Sequence, residues 1–277
     1  MSFLARYARS GPGLAGAALL AVLALSALMA PLLFPGDPLR IAGPAMSAPF
    51  ADPAFPFGTD RLGRDVLAGL FHGARASLAV GLAAALAALA IGLTVGTLAG
   101  FAGGVVDEAL MRVADAFQIV PGFLLALAFV STLGASMPTV VLAIALAAWA
   151  EPARLVRAEV LRIRESDYVA SARVLGMHPL EIAFREILPN ALPPVMAFAA
   201  IIVAGAILTE AALSFLGLSD PNIVTWGTMI AEGRNVLRAA PFLSVFPGLA
   251  LMIAVLGVYL ASEGINDALR PRDGGGR

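Results

Sequence analysis

Cysteine and lysine are both absent from this sequence, and histidine occurs only at His72 and His178. The first absence removes thiolate nucleophiles, thiolate metal sites and disulfides, and with them any reading of the redox compartment. The second removes Schiff-base chemistry and the cation of a GxxxxGK[ST] phosphate loop, so the chain is no ATPase of that kind. Histidines so far apart in sequence exclude HExxH and other multi-histidine metal sites. Charge is scarce as well: 13% of residues are charged, all 18 basic ones are arginine, and the formal net charge is −1. No basic surface is left for a nucleic acid.

What remains is apolar. Hydrophobic residues make up 60% of the chain and the mean hydropathy is +0.89, outside the range of soluble domains and inside that of membrane proteins. A bilayer core of about 30 Å takes about 20 helical residues. Ser10–Gly36, Ala76–Phe101 and Ala239–Ser262 are uncharged runs of that kind, and Leu192–Leu218 is another that carries only Glu210. The run Ala116–Ala150 would be about 50 Å as one helix, but Gly134, Ala135, Ser136, Met137 and Pro138 break it in the middle, which predicts two spans. Six spans in an all-α fold then place both termini and the segment 151–190 on one side, with twelve arginines there against six on the other, as the positive-inside rule requires. Arg6 and Arg9 ahead of an apolar run also fit a secretory signal, but the run exceeds a signal's core. Residues 1–58 thus read as a span plus a Pro/Gly-rich outer loop, 59–75 as an amphipathic segment, 76–262 as the remaining spans and 263–277 as an inner tail.

The segment 151–190 carries equal numbers of arginines and acids, six of each. In its second half, Ser166 or Asp167 is placed to cap a helix with Tyr168, Ala172 and Leu175 on one apolar face, and Gly176 is placed to stop it. His178 and Pro179 start a second helix, with Leu180, Phe184, Ile187 and Leu188 on its apolar face and Pro189 at its end. Two short helices joined by a bend make a projecting knob. Such a pattern suits either an interfacial loop on lipid or a protein partner, and mixed charge favours the partner.

Three further features draw attention. Thr59 is placed to cap a helix with Asp60 in its first turn and a stripe of Leu62, Val66, Leu67, Leu70 and Phe71 opposite Arg61, Arg64 and Asp65. That describes an amphipathic helix on the outer surface, either a brace beside a transport path or an anchor for the second span. Asp115 and Glu210 are acids within or near spans, where a charge costs roughly 2.5–3.5 kcal/mol. Arg112 is in reach of Asp115, whereas Glu210 is isolated and either lines a passage or bonds to a neighbouring helix. No catalytic constellation is present: no GxSG-like or GxGD-like stretch supports an intramembrane hydrolase. A passive channel or proton-coupled carrier would leave the projecting knob without a purpose.

The pattern A-S-A-x3-G-x10-I-L-P-N, formed by Ala170, Ser171, Ala172, Gly176, Ile187, Leu188, Pro189 and Asn190, resembles the EAA loop of permease subunits of ATP-binding cassette (ABC) importers. Ala170 stands where that family usually has Glu, and Ser171 where it usually has Ala. GTDRLGRD, with Gly58, Thr59, Asp60, Gly63, Arg64 and Asp65, together with TEAALSFLGL from 209 and EGINDALRPR from 263, resembles the second, six-span subunit of the dipeptide, oligopeptide and nickel permease group. The likeness covers nearly the whole chain. It implies a type I importer permease fold in a bacterial inner membrane. It also implies a coupling loop, with Tyr168, Arg173, His178, Pro179 and Leu180 among its residues, that docks on an ATPase. The implied partners are a second permease subunit, two ABC ATPase subunits and an extracytoplasmic solute-binding protein. ATP would be hydrolysed by those partners, and this chain would hold no cofactor and no metal.

Overall fold

The computed structural model describes residues 6–269; the arginines at 270, 272 and 277 lie outside them. The helices are α1 (Gly11–Leu33), α2 (Val66–Ala102), α3 (Gly104–Ile119), α4 (Gly122–Leu133), α5 (Met137–Ala148), α6 (Ala150–Ile163), α7 (Asp167–Val174), α8 (Pro179–Phe215), α9 (Trp226–Arg234) and α10 (Phe242–Leu269). Among the described residues no strand occurs, only an isolated antiparallel bridge between Thr59 and Asp65.

α1, α2, α8 and α10 are each long and apolar enough to cross a bilayer, while α3 with α4 and α5 with α6 form pairs bent by 86° and 45°. Counting each bent pair as one crossing gives the six spans read from the sequence. The break at Gly134–Pro138 is where composition put it, with Gly134 at φ +91° and Ser136 capping α5. The sharper bend precedes it. Val120 is extended because it stands before Pro121, whose ring disfavours the helical region for its predecessor.

Small residues set the helix crossings. Between lipid-immersed helices apolar side chains gain little by leaving lipid, so close approach of backbones decides packing. Gly92, Gly96 and Gly100 face Pro152, Ala153, Val156, Arg157 and Val160 along the crossing of α2 and α6. At the other edge Gly13 and Gly16 meet Gly264 and Ala261, tying α1 to α10. There the Ser10 hydroxyl donates to Asp267 Oδ2 at 2.7 Å, so the two ends of the described chain lie together.

Three expectations are corrected. Thr59 caps no helix. Residues 58–65 form a tight loop, and α2 starts at Val66 behind Asp65, whose carboxylate accepts the Leu67 N–H at 2.8 Å. The stripe from Val66 onward is therefore the first turns of the second span, and Val66 and Leu70 pack on Leu243 and Met229 rather than on lipid. Pro189 ends nothing: the helix runs on from Pro179 to Phe215. A π-turn at Ile182–Ile187 precedes the proline, and its wider winding accommodates a residue that lacks an N–H and crowds the preceding turn.

Candidate functional site

The knob is built as its punctuation implies, but it presents different faces. Gly176 adopts φ +77°, its N–H donates to Arg173 O at 3.0 Å, and Met177 N–H reaches back to Ala172 O at 3.2 Å. This glycine closes α7 in the left-handed conformation that side-chain-bearing residues adopt at a cost. His178 caps the next helix, its Nδ1 accepting the Leu180 N–H at 3.3 Å, and Pro179 follows in the first turn. The buried face consists of Val169, Ala172, Ile182 and Ile187, packed on Val160 and Ile163 of α6. Tyr168, Leu175, Leu180 and Phe184, expected to face inward, are exposed, Leu175 at 82%, and Val174 beside it is exposed at 88%. The π-turn adds a residue to one turn and so shifts the register of Leu180 just ahead of it, while Tyr168 in α7 and Leu175 at its C-cap lie beyond the Gly176 bend. Ala170, Ser171, Arg173, Pro179 and Pro189 are exposed on the same knob, and Leu188 is half-buried.

The arginines of 151–190 prove to be fasteners within the chain. Arg157 grips Asp107 through Nε and Nη2 at 2.5 and 2.6 Å, Arg164 donates to Gly100 O at 2.8 Å, and Arg173 lies 5.9 Å from the Phe101 ring centroid. Arg154, not Arg112, pairs with Asp115, and Arg112 pairs with Glu108 instead. What faces outward from the knob includes the apolar Val174, Leu175 and Leu180 beside exposed Arg173, His178 and Arg185. The Asp107–Arg157 clamp holds α3 on α6. Replacing Arg157 by Ala is expected to destabilise the protein by about 1.5–3 kcal/mol, the range for hydrogen bonds to charged groups. Thermal unfolding in detergent checks this, and the exchange Asp107→Arg with Arg157→Asp should recover part of the loss.

At the other end of the spans, the loop 58–65 is a compact turn. Asp60 Oδ1 accepts the N–H groups of Leu62 and Arg64 at 2.8 Å each, and Gly63 at φ +83° lies so close to Gly43 that a Cβ would sit 2.2 Å from its carbonyl oxygen. Buried Thr59 donates to Pro44 O and accepts from Ser47 N–H at 3.0 Å. The Arg64 guanidinium bridges Asp60 at 3.8 Å and Glu232 of α9 at 3.3 Å. Desolvation there pushes the Glu232 carboxyl above its usual range, opposed by Arg64. A cavity of about 230 Å³ lies between this loop and the 220–233 segment. Gly58, Thr59, Asp60, Gly63, Arg64 and Asp65 therefore form a compact loop that ties the start of α2 to α9 through Arg64 and Glu232.

Glu210 is 1% exposed, sealed between helices of this one chain. Ser214 donates to its Oε1 at 2.7 Å. Sequence reasoning missed its neighbours: Ser77, fully buried in α2, accepts the Trp226 N–H at 3.2 Å. A lone serine in a run of Ala, Leu and Val was the available signal. Asp115, half-exposed in α3, pairs with Arg154, whereas Glu210 is buried in α8 and shares a small gap with Asp220. Among the described residues no group of three potential ligands is placed to hold a metal ion.

The sequence profile of the family described as "binding-protein-dependent transport system inner membrane component" matches residues 92–273. The chain belongs to this family. It is 43% identical, over 94% of its length and 88% of the relative's, to the "Probable peptide ABC transporter permease protein y4tQ" of Sinorhizobium fredii. It is 36% identical to the di/tripeptide transport system permease protein DppC of Pseudomonas aeruginosa, over 98% and 91% of the two chains. In fold it resembles a chain of the MetNI methionine ABC transporter, with a TM-score of 0.59 at 18% identity, over 73% of this chain and 97% of that one. The protein is a permease subunit of an ABC importer, a membrane component that performs no bond chemistry itself. Membership implies ATPase and binding-protein partners for this permease.

Proposed function

We propose that this permease forms half of a translocation path for small peptides, paired with a second, related permease subunit. Two ABC ATPases would drive the pair from the cytoplasm, and an extracytoplasmic binding protein would deliver the substrate. Peptide is favoured because the relatives named above carry that word in their names. In this reading both termini and the knob face the cytoplasm of a bacterium, and ATP is bound only by the partner subunits. The apolar groove of about 760 Å³ between α8 and α10, lined by Ile201, Leu208, Met252 and Tyr259, is the face for the second subunit.

The observation that carries the reading is the knob itself. Val174, Leu175 and Leu180 stand exposed on a structure whose opposite side is packed and whose charges are mostly satisfied within the chain. Exposed apolar side chains at the tip of a rigid projection suit an anchor in a partner's pocket. When ATP draws the ATPases together, the knob would be displaced, and α6 and α8, which flank it, would move with it. The glycine-lined crossing makes α2 follow α6. An inward-open path would then become outward-open, and hydrolysis would reset it.

Because the chain has no cysteine, Leu175→Cys would carry the only thiol. Produced without its ATPase partners, the variant should react with a membrane-impermeant maleimide in inside-out vesicles and not in intact spheroplasts. Labelling in spheroplasts would overturn the orientation and with it the coupling. Uptake of a labelled dipeptide by vesicles holding all partners, abolished when the binding protein is left out, tests the substrate class.

A further inference from the structure

A carboxyl buried in an apolar span needs a compensating role, since its insertion is costly. Glu210 has no ion-pair partner among the described residues, and only one of its oxygens is satisfied. Oε2 is buried without a hydrogen-bond partner, and Glu210 lines a gap of about 10 Å³ together with Ser214, Asp220 and Thr225. The hydroxyls of Thr225 and Ser77 are its next polar neighbours.

These groups sit where three helices meet. Thr225 caps α9 in a reciprocal pair with Thr228. The next residue, Trp226, is 1% exposed; its backbone N–H donates to Ser77 and its indole N–H to Leu70 O at 3.1 Å. Gly227 then lies so close to α8 that a Cβ would stand 2.6 Å from Ala211 O. α9 is therefore seated on α2 and α8 through its first turn, above the carboxyl. The knob begins the same helix that Glu210 nearly ends, some 45 Å away at 1.5 Å per residue.

We propose that Glu210 is a positioning residue of the transport cycle: its carboxyl, bonded to the Ser214 hydroxyl and facing Thr225 and Ser77, is the centre of the joint that keeps α9 docked on α8 and α2. Through that joint, movement of α8 driven at the knob reaches the outer surface. A carboxyl suits the task because one oxygen accepts the Ser214 hydroxyl at 2.7 Å while the residue lines the same small gap as Thr225. The cycle it serves is the importer reading above, on which this inference rests.

The experiment uses the complete importer in nanodiscs, with wild type, Glu210→Gln, Glu210→Leu and Ser77→Ala. Each is also made with Ala74→Cys, a position 1% exposed in the cluster around Trp226 and the only thiol in the chain. Glu210→Leu is expected to assemble with its partners, to lose about tenfold or more of the binding-protein stimulation of ATP hydrolysis, and to expose the thiol to a water-soluble maleimide. Glu210→Gln, which keeps an acceptor oxygen, should retain most of the stimulation and keep the thiol sealed. Ser77→Ala should expose the thiol with α8 unchanged, which covers the case in which Glu210→Leu fails to assemble. The proposal is overturned by wild-type stimulation in Glu210→Leu or by a sealed thiol in both it and Ser77→Ala. It is equally overturned if Glu210→Gln is as impaired as Glu210→Leu, a result that would assign the acid a charge or proton to carry. Thiol labelling needs neither substrate nor binding protein. An unstimulated wild type would therefore sink the proposed coupling cycle while the joint is still tested.

Discussion

Leu175→Asp is expected to strip the ATPase subunits from the permease while leaving the permease folded. The side chain is 82% exposed and lies outside the packed face of the knob, so the substitution costs the subunit no more than about 0.5 kcal/mol. At a partner's surface the same residue would be an apolar anchor. Anchors of this kind are worth about 2 kcal/mol or more, which is about a 30-fold loss of affinity, and a carboxylate in an apolar pocket adds a desolvation cost. Co-purification of the ATPases and binding-protein-dependent uptake measure the effect. Retention of both at wild-type levels would remove the knob as the coupling surface. Gly176 supplies an independent test of the bend. No atom lies within 4 Å of a Cβ built there, yet its φ is +77°, so the obstacle to substitution is backbone conformation and not space. Gly176→Val should therefore impair coupling far more than Gly176→Asn, because asparagine visits the left-handed region and a β-branched residue does not. Equal behaviour of the two would point to crowding against the partner instead.

Gly96→Leu should prevent accumulation of folded permease. A Cβ at this position would stand 2.4 Å from Ala153 O and 2.8 Å from Val156 Cβ. The nearer obstacle is backbone, which no rotamer change can move. α2 and α6 would have to separate along the whole Gly92–Gly100 face, leaving the Arg164 bond to Gly100 O and the packing of Val156 and Val160 without partners. Overpacking of ordinary cores costs about 1–3 kcal/mol, and a clash of backbone against backbone exceeds that range. Total stabilities of about 5–15 kcal/mol leave little margin. Folded yield, followed as the monodisperse peak in detergent, is expected to fall below about a tenth of wild type. Gly11→Leu is the control, since nothing lies within 4 Å of a Cβ there. Normal yield and melting temperature for Gly96→Leu would mean that the two helices are not in contact. In the proposed cycle the same contact would let the knob act on the path, since α6 carries the knob at one end and is packed on the second span along Gly92, Gly96 and Gly100.

Much of this architecture was legible in the residues alone. Lipid admits only structures that satisfy their own backbone, so uncharged runs of sufficient length specify helices without help from the rest of the fold. Local punctuation was equally readable. The break at Gly134–Pro138, the stop at Gly176, and the His178–Pro179 start depend on backbone geometry within a few residues, and each stands where the sequence put it. The GTDRLGRD stretch was read less well. Its capping residue is Asp65 and not Thr59, because Thr59 is engaged by Pro44 and Ser47, loop residues that no helical periodicity brings to it.

Tertiary structure alone decided the faces and the pairings. A π-turn is invisible to a 3.6-residue count, and around it Leu180 and Phe184 face outward while Ile182, Ala183 and Ile187 are buried. Which acid meets which arginine depends on helices that cross far apart in sequence, so Asp107 rather than a nearer carboxylate holds Arg157, and Asp115 takes Arg154. Glu210 shows the division most plainly. Its presence in an apolar run marked it as purposeful. Only the meeting of α2, α8 and α9 placed it inside one subunit among hydroxyls, because hydrophobic periodicity specifies that a side is buried but not against which neighbour.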